Sequence, residues 1–260
     1  MSIGSPTTAP SPPARLASRR GRSPASPVRL RALLVVLLTL VTGVTDAIGF
    51  TRLGGVFTSV MTGNMVLLGV AVGRASATLA IHTGVAFVAY VAGGFVGAHV
   101  AGHVPEGSGS DEVWPRRVTT TLAVELVVLA AFAAGWEASG GHPATGVTSI
   151  LLALNAVALG IQSAAVLRFG VGGLSTTYLT GTLTTVLGSV ARRDPFRSYA
   201  RSVAVLLALV GGACLGALAA IHAPLAAPAF QLVPLGVVVL LGATSFRGQH
   251  DLTREDDPRP

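Results

Sequence analysis

Runs of apolar residues nearly free of charge, such as 32–45 and 118–136, leave this chain little choice of fold. A helical run of that order crosses the hydrocarbon core of a bilayer, about 30 Å thick. Eight apolar segments follow one another, at about 30–50, 56–73, 78–101, 117–138, 147–167, 174–190, 198–222 and 228–246. Six are robust spans, whereas the second and sixth are short and polar. Only 11% of the 260 residues are charged and 51% are hydrophobic, with mean hydropathy +0.67. A soluble domain carries about 25% charged residues, so too few charges remain here to cover a water-facing surface. The fold class is all-α, a multi-pass transmembrane helical bundle, and its first partner is the lipid bilayer.

The net charge of +7 is not a nucleic-acid signal. Lysine is absent and all 18 basic residues are arginine, which excludes Schiff-base and P-loop lysine chemistry. Arg15, Arg19, Arg20, Arg22, Arg29 and Arg31 crowd an N-terminal stretch without acids. That bias predicts a cytoplasmic N-terminus in the cell inner membrane. The Pro-, Ser- and Arg-rich residues 1–28 predict a disordered tail. Ser18-Arg19-Arg20 resembles a twin-arginine signal, but the apolar run after it is long and lacks an A-x-A site, which predicts a retained first helix. Cys214 is the only cysteine, so a disulfide within the chain and a multi-thiolate metal site are excluded. His99 and His103, four apart, are too few for a metal site. No cofactor is expected, and the charged residues 247–260 read as a C-terminal tail.

The eight segments read as four segments twice, with repeats at 29–138 and 139–246. A shift of 118 places Gly54-Gly55 and Thr58 to Gly63 over Gly172-Gly173 and Thr176 to Gly181, Arg74 over Arg192, and Gly93-Gly94 over Gly211-Gly212. Upstream a shift of 116 places Asp46 over Gln162 and Arg52 over Arg168. Repeats with paired, glycine-interrupted segments are common among secondary transporters. If the second and sixth segments are re-entrant, each repeat crosses three times and the two are inverted. Loop 102–116 and loop 191–201, the latter with Arg192, Arg193, Arg197 and Arg201, then fall on the side of the N-terminus, as the positive-inside rule asks. Non-helical backbone at membrane depth requires cover from protein or a water cavity.

The stretches Gly43-Val-Thr-Asp46-Ala-Ile-Gly-Phe50, Leu53-Gly-Gly-Val-Phe57 and Met61-Thr-Gly-Asn64 resemble the first signature of the YoaK-like bacterial membrane proteins, the family of domain of unknown function 1275. Gly160-Ile-Gln162 and Thr176-Thr-Tyr-Leu-Thr-Gly-Thr182 resemble its second signature. The resemblance covers roughly residues 30–246. It implies a multi-pass inner-membrane protein, often described as a transporter, and carries over neither a substrate nor binding residues.

Two acids lie well within the apolar runs, Asp46 and Glu125. A carboxylate is costly in lipid and tends to face a bundle interior or a water-filled path, which makes both candidates for ion coupling. The structural alternatives are an Asp46–Arg52 pair across a helix break and a bond from Glu125 to a neighbouring helix. Gln162 suits a solute contact because an amide both donates and accepts; Asn155, two turns earlier, reads as an interhelical bond. Thr58, Thr62, Gly63 and Asn64, with Thr176, Tyr178, Thr180 and Gly181, form the paired polar segments, expected to face each other across one solute site. Half-helix N-termini behind the double glycines would favour an anionic solute. Close helix packing is the alternative, since Ser59-xxx-Gly63 and Thr177-xxx-Gly181 are small-xxx-small patterns. Gly93-xxx-Gly97 and Gly212-xxx-Gly216 predict packing seams, and Arg52 and Arg168 are expected to snorkel to headgroups.

No HExxH, GxSxG or Walker sequence is present, and an enzyme is not expected. The expected function is secondary transport of a small solute, coupled to protons through Asp46 or Glu125. A structural or assembly membrane protein and an uncharged-solute channel are the alternatives, and the reading leaves room for a homo-oligomer.

Overall fold

The computed structural model describes residues 25–102, 114–168 and 176–245, with side chains given from residue 29 in the first stretch and from residue 179 in the last. Most of the expected N-terminal tail, Glu106, Asp111, Glu112, His103, Gly172-Gly173 and the C-terminal tail lie outside these residues. The described residues form α1 (Ala25–Arg52), α2 (Met61–Gly73), α3 (Ala77–Ala101), α4 (Arg116–Ala138), α5 (Thr145–Leu167), α6 (Thr176–Ala191), α7 (Phe196–His222) and α8 (Ala229–Ser245), with a 3-10 turn at Pro224–Ala226. Helix already begins at Ala25, inside the expected tail.

Six of these helices are long and apolar enough to cross a membrane, the shortest over the 22 residues Pro224–Ser245. The 13 residues of α2 rise only about 20 Å at 1.5 Å each, short of the ~30 Å hydrocarbon core. The six-span arithmetic of the sequence therefore holds.

Glycine decides which helices touch. The added Cβ of a residue at Gly43 would strike the Leu209 carbonyl, one at Gly212 the Leu40 backbone, and one at Gly216 the Val44 backbone. These approaches seat α1 on α7. A second set seats α3 on α5: Gly93 against Val157, Gly97 against Ile161 and Ala164, and Gly160 against Tyr90, Gly93 and Gly94. The apolar effect does not drive helices together in lipid, so such close backbone approach supplies van der Waals contact. The seams expected at Gly93-xxx-Gly97 and Gly212-xxx-Gly216 are both formed.

The same contacts give direction. Leu40 meets Gly212 and Val44 meets Gly216, so α1 and α7 run parallel; Val157 meets Gly93 and Ile161 meets Gly97, so α3 and α5 do too. Between the pairs the sense reverses. Gln162 reaches Leu38 and Thr42, while Gln231 joins Asn155 to Thr45 further along α1. Two apolar clusters stacked along the bundle agree. One joins Leu34, Leu38, Val118, Leu122, Ala165 and Leu235; the other joins Ile48, Leu53, Phe132, Trp136, Leu151 and Ala220. Thus α1, α4 and α7 run one way, and α3, α5 and α8 the other.

Valine at Gly160 is expected to force α3 from α5, lowering stability by about 1–3 kcal/mol as overpacked interiors do. Alanine at Gly69, whose added Cβ meets nothing within 4 Å, leaves it unchanged. Thermal unfolding of the two purified variants in detergent checks the contrast.

Candidate functional site

Two polar constellations lie inside the bundle. The first begins where α1 ends. Beyond Arg52, Gly54 and Gly55 take φ of 100° and 73°, a region that side-chain-bearing residues seldom enter. The Gly54 backbone also lies against the buried His82 ring, in the space a Cβ would fill. The chain doubles back until Thr58 and Ser59 stand beside Asp46, six residues or about 9 Å below the end of α1. From Met61, α2 leads out again to Arg74, and Ser76 caps α3 by accepting from Leu79 N–H. The second segment is therefore a half-length helix entered through a reversal of the chain.

Asp46 holds this reversal. Its Oδ1 accepts from the Thr58 N–H (2.8 Å), the Thr58 hydroxyl (2.9 Å) and the Ser59 N–H (2.8 Å), and its Oδ2 from the Ser59 hydroxyl (2.5 Å). The carboxylate sits late in α1, where the helix dipole disfavours it, and just ahead of α2, whose positive end favours it. Asn64 completes the clasp: its Oδ1 accepts from Phe57 N–H at 3.0 Å and its Nδ2 donates to the Phe57 carbonyl at 2.6 Å. The expected Asp46–Arg52 pair is not what forms. Arg52 donates from Nε (3.0 Å) and Nη2 (2.7 Å) to the Ala220 carbonyl, one of those left open near the C-terminus of α7. Arg168 likewise donates from Nε to the Gly102 carbonyl at the end of α3. Both arginines reach helix-end carbonyls.

The second constellation lies deeper. Glu125, Asn155 and Gln231 are completely buried, and Gln162 nearly so. Gln162 Nε2 donates to the Thr42 hydroxyl at 2.7 Å and the Leu38 carbonyl at 3.3 Å. Gln231 Nε2 donates to the Thr45 hydroxyl at 2.9 Å and to Asn155 Oδ1 at 3.4 Å. Both oxygens of Glu125, the Oε1 atoms of Gln162 and Gln231, and Asn155 Nδ2 have no hydrogen-bond partner among the described residues. Such atoms are rare in folded proteins, and each has a reason.

The helix faces show where these groups point. Glu125 shares a face with Leu122 and Leu129, Gln231 with Leu235 and Val238, and Asn155 and Gln162 with Ala158 and Ala165. Those apolar neighbours all belong to one cluster with Leu38 and Val41. The side chains of α1, α4, α5 and α8 thus converge on one interior.

Not every expected residue joins either constellation. Thr62 faces outward on α2, and Gly63 packs on Phe57 and Val60. Thr180 and Gly181 are exposed on α6, which packs on α7. The Thr176 and Tyr178 side chains lie outside the described residues. Sequence reasoning missed Gln231, Thr42 and Thr45. Gln231 was discernible as the one amide in an otherwise apolar segment; the threonines were not, because threonine in a membrane helix is commonplace.

Asp46→Asn keeps one acceptor oxygen and turns an NH2 toward donors. Bonds to a charged group are worth about 1.5–3 kcal/mol each, so the variant is expected to lose at least ~2 kcal/mol of stability and to open residues 53–60 to protease. Asn64→Ala, which strands the Phe57 N–H and carbonyl, is expected to cost about 1–3 kcal/mol. Unfolding midpoints and the rate of cleavage within 53–60 check both, and an unchanged Asp46→Asn protein would mean the clasp does not hold the loop.

The chain matches the family model described as "Protein of unknown function (DUF1275)" over residues 34–241. It is 33% identical over 190 residues to the UPF0700 transmembrane protein YoaK of Bacillus subtilis (strain 168), covering 70% of this chain and 80% of that one. No solved structure matches. A multi-pass bundle with six membrane-length helices and the signatures around Asp46 and Gln162 agree with both comparisons, and the chain belongs to the DUF1275 family of membrane proteins.

Proposed function

We propose that the chain is a secondary transporter of a small solute, rather than an enzyme, and that its path runs through the interior lined by Glu125, Asn155, Gln162 and Gln231. The observation that carries this reading is the convergence of buried, unpaired polar atoms from facing helices. Ionisable groups inside a membrane bundle mark ion and substrate pathways. Asp46 was the other candidate for coupling, but four donors already occupy it. Its part is to hold the re-entrant loop, leaving Glu125 as the coupling acid. A purely structural membrane protein would be served by the clasp and the glycine seams, and would gain nothing from leaving Glu125 unpaired.

Two inverted repeats support the same reading. The contact of Gly43 with Leu209 and Ala213 has its counterpart in that of Gly160 with Tyr90 and Gly94, Leu40–Gly212 in Val157–Gly93, and Val44–Gly216 in Ile161–Gly97. Across these pairs α1 maps to α5 with an offset of 117 and α3 to α7 with 119. Each differs by one residue from the offset the bare sequence suggests, so Thr45, rather than Asp46, corresponds to Gln162. The antiparallel sense of α1 and α5 makes the repeats inverted, the arrangement in which alternating access is common. By the positive-inside rule, the end bearing Arg29, Arg31, Arg116, Arg117, Arg192 and Arg193 is cytoplasmic, and the membrane is the cell inner membrane.

Vesicles containing the protein are expected to differ in at least one accumulated solute from empty vesicles, in an untargeted metabolite comparison, and Glu125→Gln to abolish that difference. Failure to accumulate any solute refutes transport. For topology, a cysteine at Ala75 or His142 in a Cys214→Ala background is expected to label from outside only, and one at Pro195 from inside only. The reverse pattern inverts the assigned orientation.

A further inference from the structure

The unpaired atoms of the interior are not an even mixture. The Thr42 hydroxyl donates to the Leu38 carbonyl at 3.1 Å and the Thr45 hydroxyl to the Val41 carbonyl at 2.8 Å. Each hydroxyl has one hydrogen, so toward the glutamines each can only accept. That fixes the NH2 group of Gln162 and of Gln231 on its threonine and turns both Oε1 atoms the other way. With the two oxygens of Glu125, four unpaired acceptors stand against one unpaired donor, Asn155 Nδ2. An anion has little to bind in such a set, so the expectation of an anionic solute does not fit.

The charge count narrows the ligand further. The helices packed on α4 are α3, α5 and α8. Neither α5 nor α8 carries a titratable side chain. On α3 the titratable groups are His82, Tyr90 and His99; Tyr90 donates to the Ser163 hydroxyl at 2.7 Å, and His99 is exposed. On α4 itself Arg116, Arg117 and Glu137 stand toward the helix ends. Asp46, on α1 one residue past the Thr45 that Gln231 bonds, is the other buried carboxyl, and four donors already satisfy it. Glu125 is therefore the interior carboxyl without a partner among the described residues. A buried carboxylate needs a positive partner, at a cost of several kcal/mol when it lacks one. One positive charge neutralises it. A divalent cation would leave a net charge in the interior, and an anion would add a second negative one.

We propose that this interior is a site for one monovalent cation held by oxygen, with Glu125 supplying the charge and Gln162 and Gln231 supplying carbonyl ligands. A proton and the cation compete for Glu125, so one leaves as the other binds. An alkali ion and a small ammonium ion share this chemistry. The site is the one named for transport and rests on that reading for its route of access, since its residues are closed to solvent until the helices part.

Unfolding midpoints of the purified full-length protein are measured in sodium, potassium, methylammonium and N-methylglucamine chlorides at matched ionic strength. One of the first three is expected to stabilise the protein over N-methylglucamine, which is too large for the site. Its apparent affinity is expected to fall about tenfold per pH unit where the proton wins, the slope for one proton against one cation. Binding to unmodified protein in lightly buffered solution is expected to release one proton per cation, a readout that needs no variant. Glu125→Gln is expected to bind at least tenfold more weakly and without that pH slope, whereas Gln231→Leu weakens binding and keeps the slope. No cation effect, no proton release, or a folded Glu125→Gln protein that binds as the parent does overturns the proposal. Flux separates it from the transport reading: cation binding without movement into vesicles sinks transport and leaves the site. Solute flux indifferent to every cation and to pH sinks the site and leaves transport.

Discussion

A chain that turns back inside a bilayer must supply its own hydrogen bonds for backbone that no helix satisfies, because lipid offers none. That constraint governs the first half of this molecule. One carboxylate, Asp46, takes the N–H groups of Thr58 and Ser59, and one amide, Asn64, takes both polar groups of Phe57. Two side chains thereby satisfy backbone groups of three consecutive residues, Phe57, Thr58 and Ser59, within the non-helical stretch 53–60. The apparent extravagance of an acid in a membrane helix is the means by which the chain stops, reverses and starts a half-length helix.

Everything else is arranged around helices brought close by glycine. Where Gly43, Gly212 and Gly216 let α1 meet α7, and Gly93, Gly97 and Gly160 let α3 meet α5, backbone lies against backbone. The polar interior is then left to the longer side chains of α4, α5 and α8, of which Gln162 and Gln231 reach across to α1. Tight seams and an interior of amides and one acid are two outcomes of the same spacing. Small residues close the seams, and the remaining helices stand far enough off to keep polar groups between them.

Much of this was legible in the sequence. Charge-free length gave the six spans, and paired glycines four apart gave the seams, because both rest on local properties of a helix. The roles of the polar residues were harder. Asp46 and Glu125 looked alike as acids in apolar runs. What separates them is the company each keeps, and that depends on a chain reversal twelve residues later in one case and on other helices in the other. Arg52 was expected at headgroups, yet its partner is a carbonyl 168 residues away. Gln231 gave a sequence signal that went unread. Thr42 and Thr45 gave none, since a threonine bonding its own helix looks the same on paper whether or not it also accepts from afar.

The pairing of α1 with α7 and of α3 with α5 means that each half of the chain finds its tightest contact in the other. As the chain emerges during synthesis, the first four helices present two glycine-lined faces with nothing to cover them. The face on α3 closes only once α5 has been made, and the face on α1 only once the more distant α7 has. The molecule therefore matures late: its first half enters the membrane as an unfinished surface and becomes a bundle only when α5 and α7 arrive.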